Sequence, residues 1–96
     1  WAREIVDVSI AYSEEVARAR RVLDELFGEL RIDDGLRDAL IDGPKVLGIE
    51  QVGEKDVVLR VVAETRPSRR PDLERELRAR IKERLDDRGI KVPATS

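Results

Sequence analysis

The heptapeptide Val57-Val58-Leu59-Arg60-Val61-Val62-Ala63 constrains this chain more than any other stretch. It is the densest β-branched run in the sequence, and such side chains are stiff at χ1 and suit a pleated surface. A period of two puts Val57, Leu59, Val61 and Ala63 on one face, all apolar. Val58, Arg60, Val62 and Glu64 fall on the other, which is mixed. A strand of this kind needs an apolar layer over one side, and the rest of the chain contains two helices able to supply it.

The first of these helices follows Ser13, which the sequence offers as an N-cap, with Glu14 and Glu15 predicted in the first turn where negative charge suits the helix dipole. Val16, Ala19, Leu23, Leu26, Phe27 and Leu30 recur at three and four residues down to about Arg31, and Val22 widens the stripe. Glu14–Arg18, Arg20–Asp24 and Arg21–Glu25 have the spacing of ion pairs along one helix. The second helix carries Leu73, Leu77, Ile81 and Leu85 at intervals of four. Pro71 suits its first turn, Gly89 suits a left-handed C-terminal residue, and Ile90 is positioned for the hydrophobic contact of a Schellman ending.

Two further strands are expected. Val6, Val8, Ile10 and Tyr12 alternate with Asp7, Ser9 and Ala11. Val46 to Val52 reads as a second strand whose inward face is ambiguous, because Leu47 and Ile49 compete with Val46 and Val52. Gly53-Glu54-Lys55-Asp56 has turn chemistry and joins it to the central run as a hairpin. Between the first helix and this strand, Asp33 or Asp34 caps a short helical turn with Leu36, Ala39 and Leu40, ended by Gly43-Pro44. Ile90-Lys91-Val92 is a candidate fourth, edge strand.

The order β-α-(short α)-β-β-α-(β) predicts an α+β fold. It is the ferredoxin-like split β-α-β two-layer sandwich, with both main helices on one face of a three- to four-stranded sheet and strands one and three central. Ninety-six residues fit one domain, residues 1–96.

Composition narrows the chemistry. Nineteen basic and 21 acidic residues give a net charge of −2, with no general pull toward nucleic acid or anionic lipid. The chain has no Cys and no His, which removes thiol and imidazole nucleophiles, imidazole bases, disulfides and the usual zinc ligands. The carboxylate pairs are adjacent in sequence and mostly solvent-facing, and no phosphate-cradling glycine motif is present, so these residues offer no catalytic constellation. Asp33, Asp34, Asp38 and Asp42 lack the alternating ligands and terminal Glu of an EF-hand and read as caps and turns. No apolar run approaches the ~20 residues of a membrane span. Met is absent, and the chain reads as an excised piece of something larger, or as a processed or engineered chain.

Two groups of residues stand out as candidate sites. Val58, Arg60 and Val62, on the sheet face away from the helices, are too apolar for a fully wet surface: either the open face tolerates some valine, or a neighbouring subunit or domain covers it. On the same face Arg60 is a cross-strand partner for Asp7. Arg66, Arg69 and Arg70 form a basic loop ahead of the last helix. As a phosphate or RNA surface it lacks aromatic side chains for stacking, and the acidic residues interleaved along the last helix favour a solvated face.

Taken in order, Val6-Asp7-Val8-Ser9-Ile10-Ala11-Tyr12-Ser13-Glu14-Glu15-Val16, the Ala19–Leu26 helix, Gly43-Pro44-Lys45-Val46-Leu47-Gly48, Val57-Val58-Leu59-Arg60-Val61, Glu74 to Glu83 and Gly89-Ile90-Lys91-Val92-Pro93 resemble the C-terminal α/β domain of the small-conductance mechanosensitive channel (MscS) family. The resemblance covers essentially the whole chain. It departs from the family pattern at Pro71, where an aromatic is frequent, and at Ala94-Thr95, where an aromatic-proline continuation is frequent. It implies a cytoplasmic cage domain of a homo-heptameric channel in the bacterial inner membrane, with pore helices and a β-rich middle domain upstream in the same chain. It implies a structural role in ion transport, self-association, no cofactor, no nucleic-acid partner and no direct membrane contact for this segment. The alternatives are a stand-alone ferredoxin-like regulatory or small-ligand-binding module, and a weak RNA binder acting through the basic loop.

Overall fold

The computed structural model describes residues 1–93. In chain order the elements are β1 (Ala2–Ala11), α1 (Val16–Arg31), α2 (Asp34–Arg37), β2 (Leu40–Val52), β3 (Asp56–Thr65), a 3-10 turn (Pro67–Arg69) and α3 (Arg70–Asp87). The sheet has three strands in the order β1-β3-β2. Both neighbours run antiparallel to β3, so β1 and β2 are parallel to each other with β3 between them. The fold is therefore α+β around an antiparallel sheet.

The β-branched run lies at the sheet's centre, as its periodicity predicts. Val57, Leu59, Val61 and Ala63 are buried together with Val6, Val8 and Ile10 of β1 and Val46 of β2. The α1 stripe Ala19, Val22, Leu23, Leu26, Phe27 and Leu30 joins the same cluster, as do Leu73, Leu77, Ile81 and Leu85 of α3. Each large side chain so buried is stabilised by about 1.5–3 kcal/mol relative to exposure. Between the two helices Arg84 holds Glu29 with both guanidinium nitrogens, at 2.6 and 2.8 Å, and Arg88 reaches Glu25 at 3.0 Å. The end of α3 is a full Schellman motif: Ile90 N–H donates to Leu85 O, Gly89 N–H to Asp86 O, and Gly89 has φ +67°.

Several expectations are corrected. Ser13 does not cap α1. The chain turns first, with Glu14 N–H donating to Ala11 O, and Glu15 occupies the N-cap position without a side-chain bond. Of the three pairs read along α1, Glu14–Arg18 forms at 3.7 Å. Arg20 instead reaches Val46 O, and Glu25 is taken by Arg88. Ile90-Lys91-Val92 is not a strand. Ile90 N–H is spent on the Schellman turn and Pro93 has no N–H, which leaves one ladder-like bond, Ala11 N–H to Lys91 O at 2.8 Å. Strand β1 is consequently an edge of the described sheet and β3 alone is central.

Strand β2 starts six residues earlier than the sequence suggests, at Leu40 rather than Val46. Gly43-Pro44 lies inside it, at a shift of register between Asp42 and Lys45, and does not end the preceding helical turn. Thr65 pins this start: its hydroxyl donates to Ala39 O at 2.7 Å, and Arg66 N–H donates to the same carbonyl. The ambiguity over β2's inward residue resolves to Val46. Leu47, Ile49 and Val52 are each more than half exposed.

Candidate functional site

The sheet face turned away from the helices is built from alternate residues of β1 and β3 and, because β2 carries register shifts, from every third residue of β2. In register, Arg3 stands opposite Glu64, Ile5 opposite Val62, Asp7 opposite Arg60 and Ser9 opposite Val58. From β2, Asp42 pairs with Glu64, Lys45 with Val62, Gly48 with Arg60 and Gln51 with Val58. The structure thus brings Val58, Arg60 and Val62 together with Asp7 on one surface.

Arg60 organises the middle of this face. Its Nε donates to Asp7 Oδ1 at 2.9 Å and its Nη2 to Asp7 Oδ2 at 3.1 Å, while Nη1 lies 3.0 Å from Glu50 Oε1. One guanidinium therefore spans the three strands, with the fork geometry that suits carboxylates. The hydrogen bond from Arg60 holds the Asp7 carboxyl below the usual carboxylate range, and the same bond raises Arg60. Toward the Lys45 end the face becomes apolar. Val62 is only 6% exposed although it lies outside the helix-facing core, and around it Ile5, Leu47 (52%) and Trp1 (74%) remain open to solvent.

The basic loop follows β3 directly and leads into α3. Arg66 Nε donates to Asp38 O at 2.8 Å, Arg69 Nη1 lies 3.0 Å from Asp38 Oδ2, and Arg70 Nε lies 3.0 Å from Glu4 Oε2. Two of the three arginines thus converge on Asp38, at the entry to β2, and the third ties α3 to β1. Glu4 is 2% exposed and was missed in the sequence reading. The signal was present: Glu4 is in phase with Val6, Val8 and Ile10, so extending the alternation upstream points it inward.

The aspartates of the α2 region are used as caps and pairs. Asp33 Oδ1 accepts from Gly35 N–H at 2.8 Å while Oδ2 lies 3.1 Å from Arg80, and both bonds lower the Asp33 pKa, the Gly35 N–H most. Among the described residues no group of three or more acidic side chains is arranged to hold a metal ion. No helix among them is long and apolar enough to cross a membrane.

An α+β domain whose charged side chains cap, pair and bridge, and whose open sheet face is half apolar, is a domain shaped by contacts. Residues 4–92 match the family described as "Mechanosensitive ion channel MscS, C-terminal". The chain belongs to this mechanosensitive ion channel family, which is a family of channels and not of enzymes. It is 33% identical over 89 residues to a protein named small-conductance mechanosensitive channel from Caldanaerobacter subterraneus subsp. tengcongensis, an alignment covering 93% of this chain. The same alignment spans 30% of that relative's length. The family resemblance read from the sequence is correct.

Proposed function

We propose that this chain is a wall domain of the cytoplasmic cage of a mechanosensitive channel, in a homo-heptamer of the bacterial inner membrane. Its role is structural: it shapes and assembles the vestibule through which ions pass once the pore opens. Residues 1–96 act as one domain, preceded in the parent polypeptide by pore helices and a β-rich middle domain. The strand order β1-β3-β2, with β1 and β2 parallel across β3, supports reading the fold as a ferredoxin-like split β-α-β sandwich. The face carrying Val58, Arg60 and Val62 is the subunit contact, and the Arg66, Arg69 and Arg70 loop is a structural anchor. The observation that carries the reading is the family match over residues 4–92. The alternative of a stand-alone ligand-binding module is not favoured by that membership.

The test is made in the full-length parent channel, expressed in bacteria lacking their own mechanosensitive channels. Replacing this domain with a flexible linker of equal length is expected to abolish assembly, seen by native mass spectrometry, and survival of hypo-osmotic shock. A linker variant that still assembles as the unaltered channel does and conducts normally in membrane patches would overturn the reading.

A further inference from the structure

The Lys45 end of the open sheet face gathers charges of both signs that the chain does not pair. Along an undisturbed strand Asp42 and Lys45, three residues apart, would point to opposite faces. The register shift between them puts both on the open face, Asp42 opposite Glu64 and Lys45 opposite Val62. Gly43, at φ +80°, makes that bulge possible, since a Cβ there would stand 3.0 Å from Val62 O. On the other side of β3, Arg3 also stands opposite Glu64. Elsewhere on the surface arginines are engaged, as at Arg60, Arg80 and Arg84. Among the described residues no ion pair within the chain uses Arg3, Asp42, Lys45 or Glu64. The four surround a depression of about 240 Å³, lined also by Leu47, Val62 and the chain's single tryptophan, Trp1.

A space of this size admits a small molecule, below the drug-sized pockets of about 300–1,000 Å³. The charges say which kind. Asp42 and Glu64 are directly opposed across two strands, and like charges so placed repel unless a cation lies between them. An indole face beside them favours a quaternary ammonium, which is weakly hydrated, over a compact and strongly hydrated primary one. Lys45 lies in the next row of the sheet, about 7 Å on along the strands, and with Arg3 it offers the opposite charge to a carboxylate. A ligand of one sign alone would leave one pair of charges unmet and be repelled by it. We infer that the depression is a binding site for a small zwitterion, a quaternary ammonium joined by a short carbon chain to a carboxylate. Trp1, Asp42 and Glu64 take the ammonium, Lys45 and Arg3 take the carboxylate, and the chain between them lies over Val62. The inference does not rest on the channel assignment, and Val58 and Arg60 remain for the subunit contact proposed above.

The experiment titrates the 96-residue chain with γ-butyrobetaine, the N-terminus being acetylated so that the terminal amine adds no charge. Binding is read from the fluorescence of Trp1 and from backbone amide shifts by NMR. A saturable change is expected, half complete at about 1–10 mM, with the largest amide shifts at residues 42–47 and 62–64. Butyltrimethylammonium, which lacks the carboxylate, and butanoate, which lacks the ammonium, are each expected to bind at least about tenfold more weakly. Lys45→Gln is expected to weaken γ-butyrobetaine about tenfold and to leave butyltrimethylammonium no weaker. Asp42→Asn with Glu64→Gln is expected to weaken both ligands, and thermal melts followed by circular dichroism verify that each variant is folded. No saturable change up to about 100 mM overturns the inference, as do amide shifts centred elsewhere. So does butyltrimethylammonium binding as tightly as the zwitterion, or a folded Lys45→Gln chain that binds γ-butyrobetaine as before. The channel assignment is tested apart from these results, in the full-length protein.

Discussion

Glu4 Oε2 lies 3.0 Å from Arg70 Nε, joining a buried carboxylate on the helix-facing side of β1 to the first turn of α3. Sixty-six residues separate the two in sequence. The pair fixes where α3 begins over the sheet, because a carboxylate out of water must keep a donor.

Arg70→Ala is therefore expected to destabilise the chain by about 2 kcal/mol, the cost of leaving a buried acceptor without its charged partner. Glu4→Leu together with Arg70→Ala is expected to recover much of that loss, since replacing both partners by apolar groups removes the stranded charge. Urea denaturation of the single and double variants decides the matter. Equal destabilisation in both would show that the carboxylate is not what the arginine serves.

Acid sensitivity follows from three carboxylates held low by hydrogen bonds: Asp7 by Arg60, Glu29 by Arg84, and Asp33 by Gly35 N–H and then Arg80. A carboxyl whose folded pKa is depressed stabilises the fold above its unfolded pKa, about 4, and the contribution is lost as pH falls through the folded value. Melting temperature is expected to be flat from neutral pH to about 5 and to drop below about 4. Asp7→Asn is expected to make the acid drop shallower, and a double-mutant cycle of Asp7→Asn with Arg60→Ala is expected to show coupling between the two side chains. An unchanged acid slope would show that the Asp7 pair contributes nothing to stability.

Two glycines should respond in opposite directions. Gly43 has φ +80°, and a Cβ there would stand 3.0 Å from Val62 O, so Gly43→Ala is strained twice over. Its expected cost is about 1–3 kcal/mol. Gly28 lies in the interior of α1 and a Cβ there meets nothing within 4 Å. Gly28→Ala is expected to stabilise by about 0.5–1 kcal/mol through the unfolded chain's lost freedom. Thermal melts of the two variants give the signs directly, and a stabilising Gly43→Ala would contradict the backbone geometry.

Thr65 is fully buried, and its hydroxyl and the Arg66 N–H both donate to Ala39 O. Thr65→Val keeps the side chain's shape, and its expected cost is about 1 kcal/mol rather than the full penalty of an orphaned carbonyl, because the second donor remains. Hydrogen exchange should show the loss concentrated at residues 39–42, where the hydroxyl holds the start of β2. Uniform loss across the sheet would assign Thr65 a different role.

What the amino-acid order determined without help was whatever repeats locally. The two helical stripes and the alternation of β1 and β3 follow from periods of 3.6 and 2 that a single segment displays, and the Gly89–Ile90 ending follows from local capping chemistry. The ordered segments also sufficed to identify the family. The tertiary structure decided what depends on residues far apart. Val46 is buried opposite Val61, whereas Ile49, opposite the equally buried Leu59, stays half exposed, so the inward residue of β2 follows from what packs over each position and not from the strand's own pattern. Val62 is buried on the outer face because Ile5 and Lys45 arrive on either side of it. The three loop arginines look free in a linear reading and are engaged because Asp38 and Glu4 come to them from other strands and turns. Burial of a charge and the register of a bulged strand are properties of pairs, and a pattern along one segment does not contain its partner.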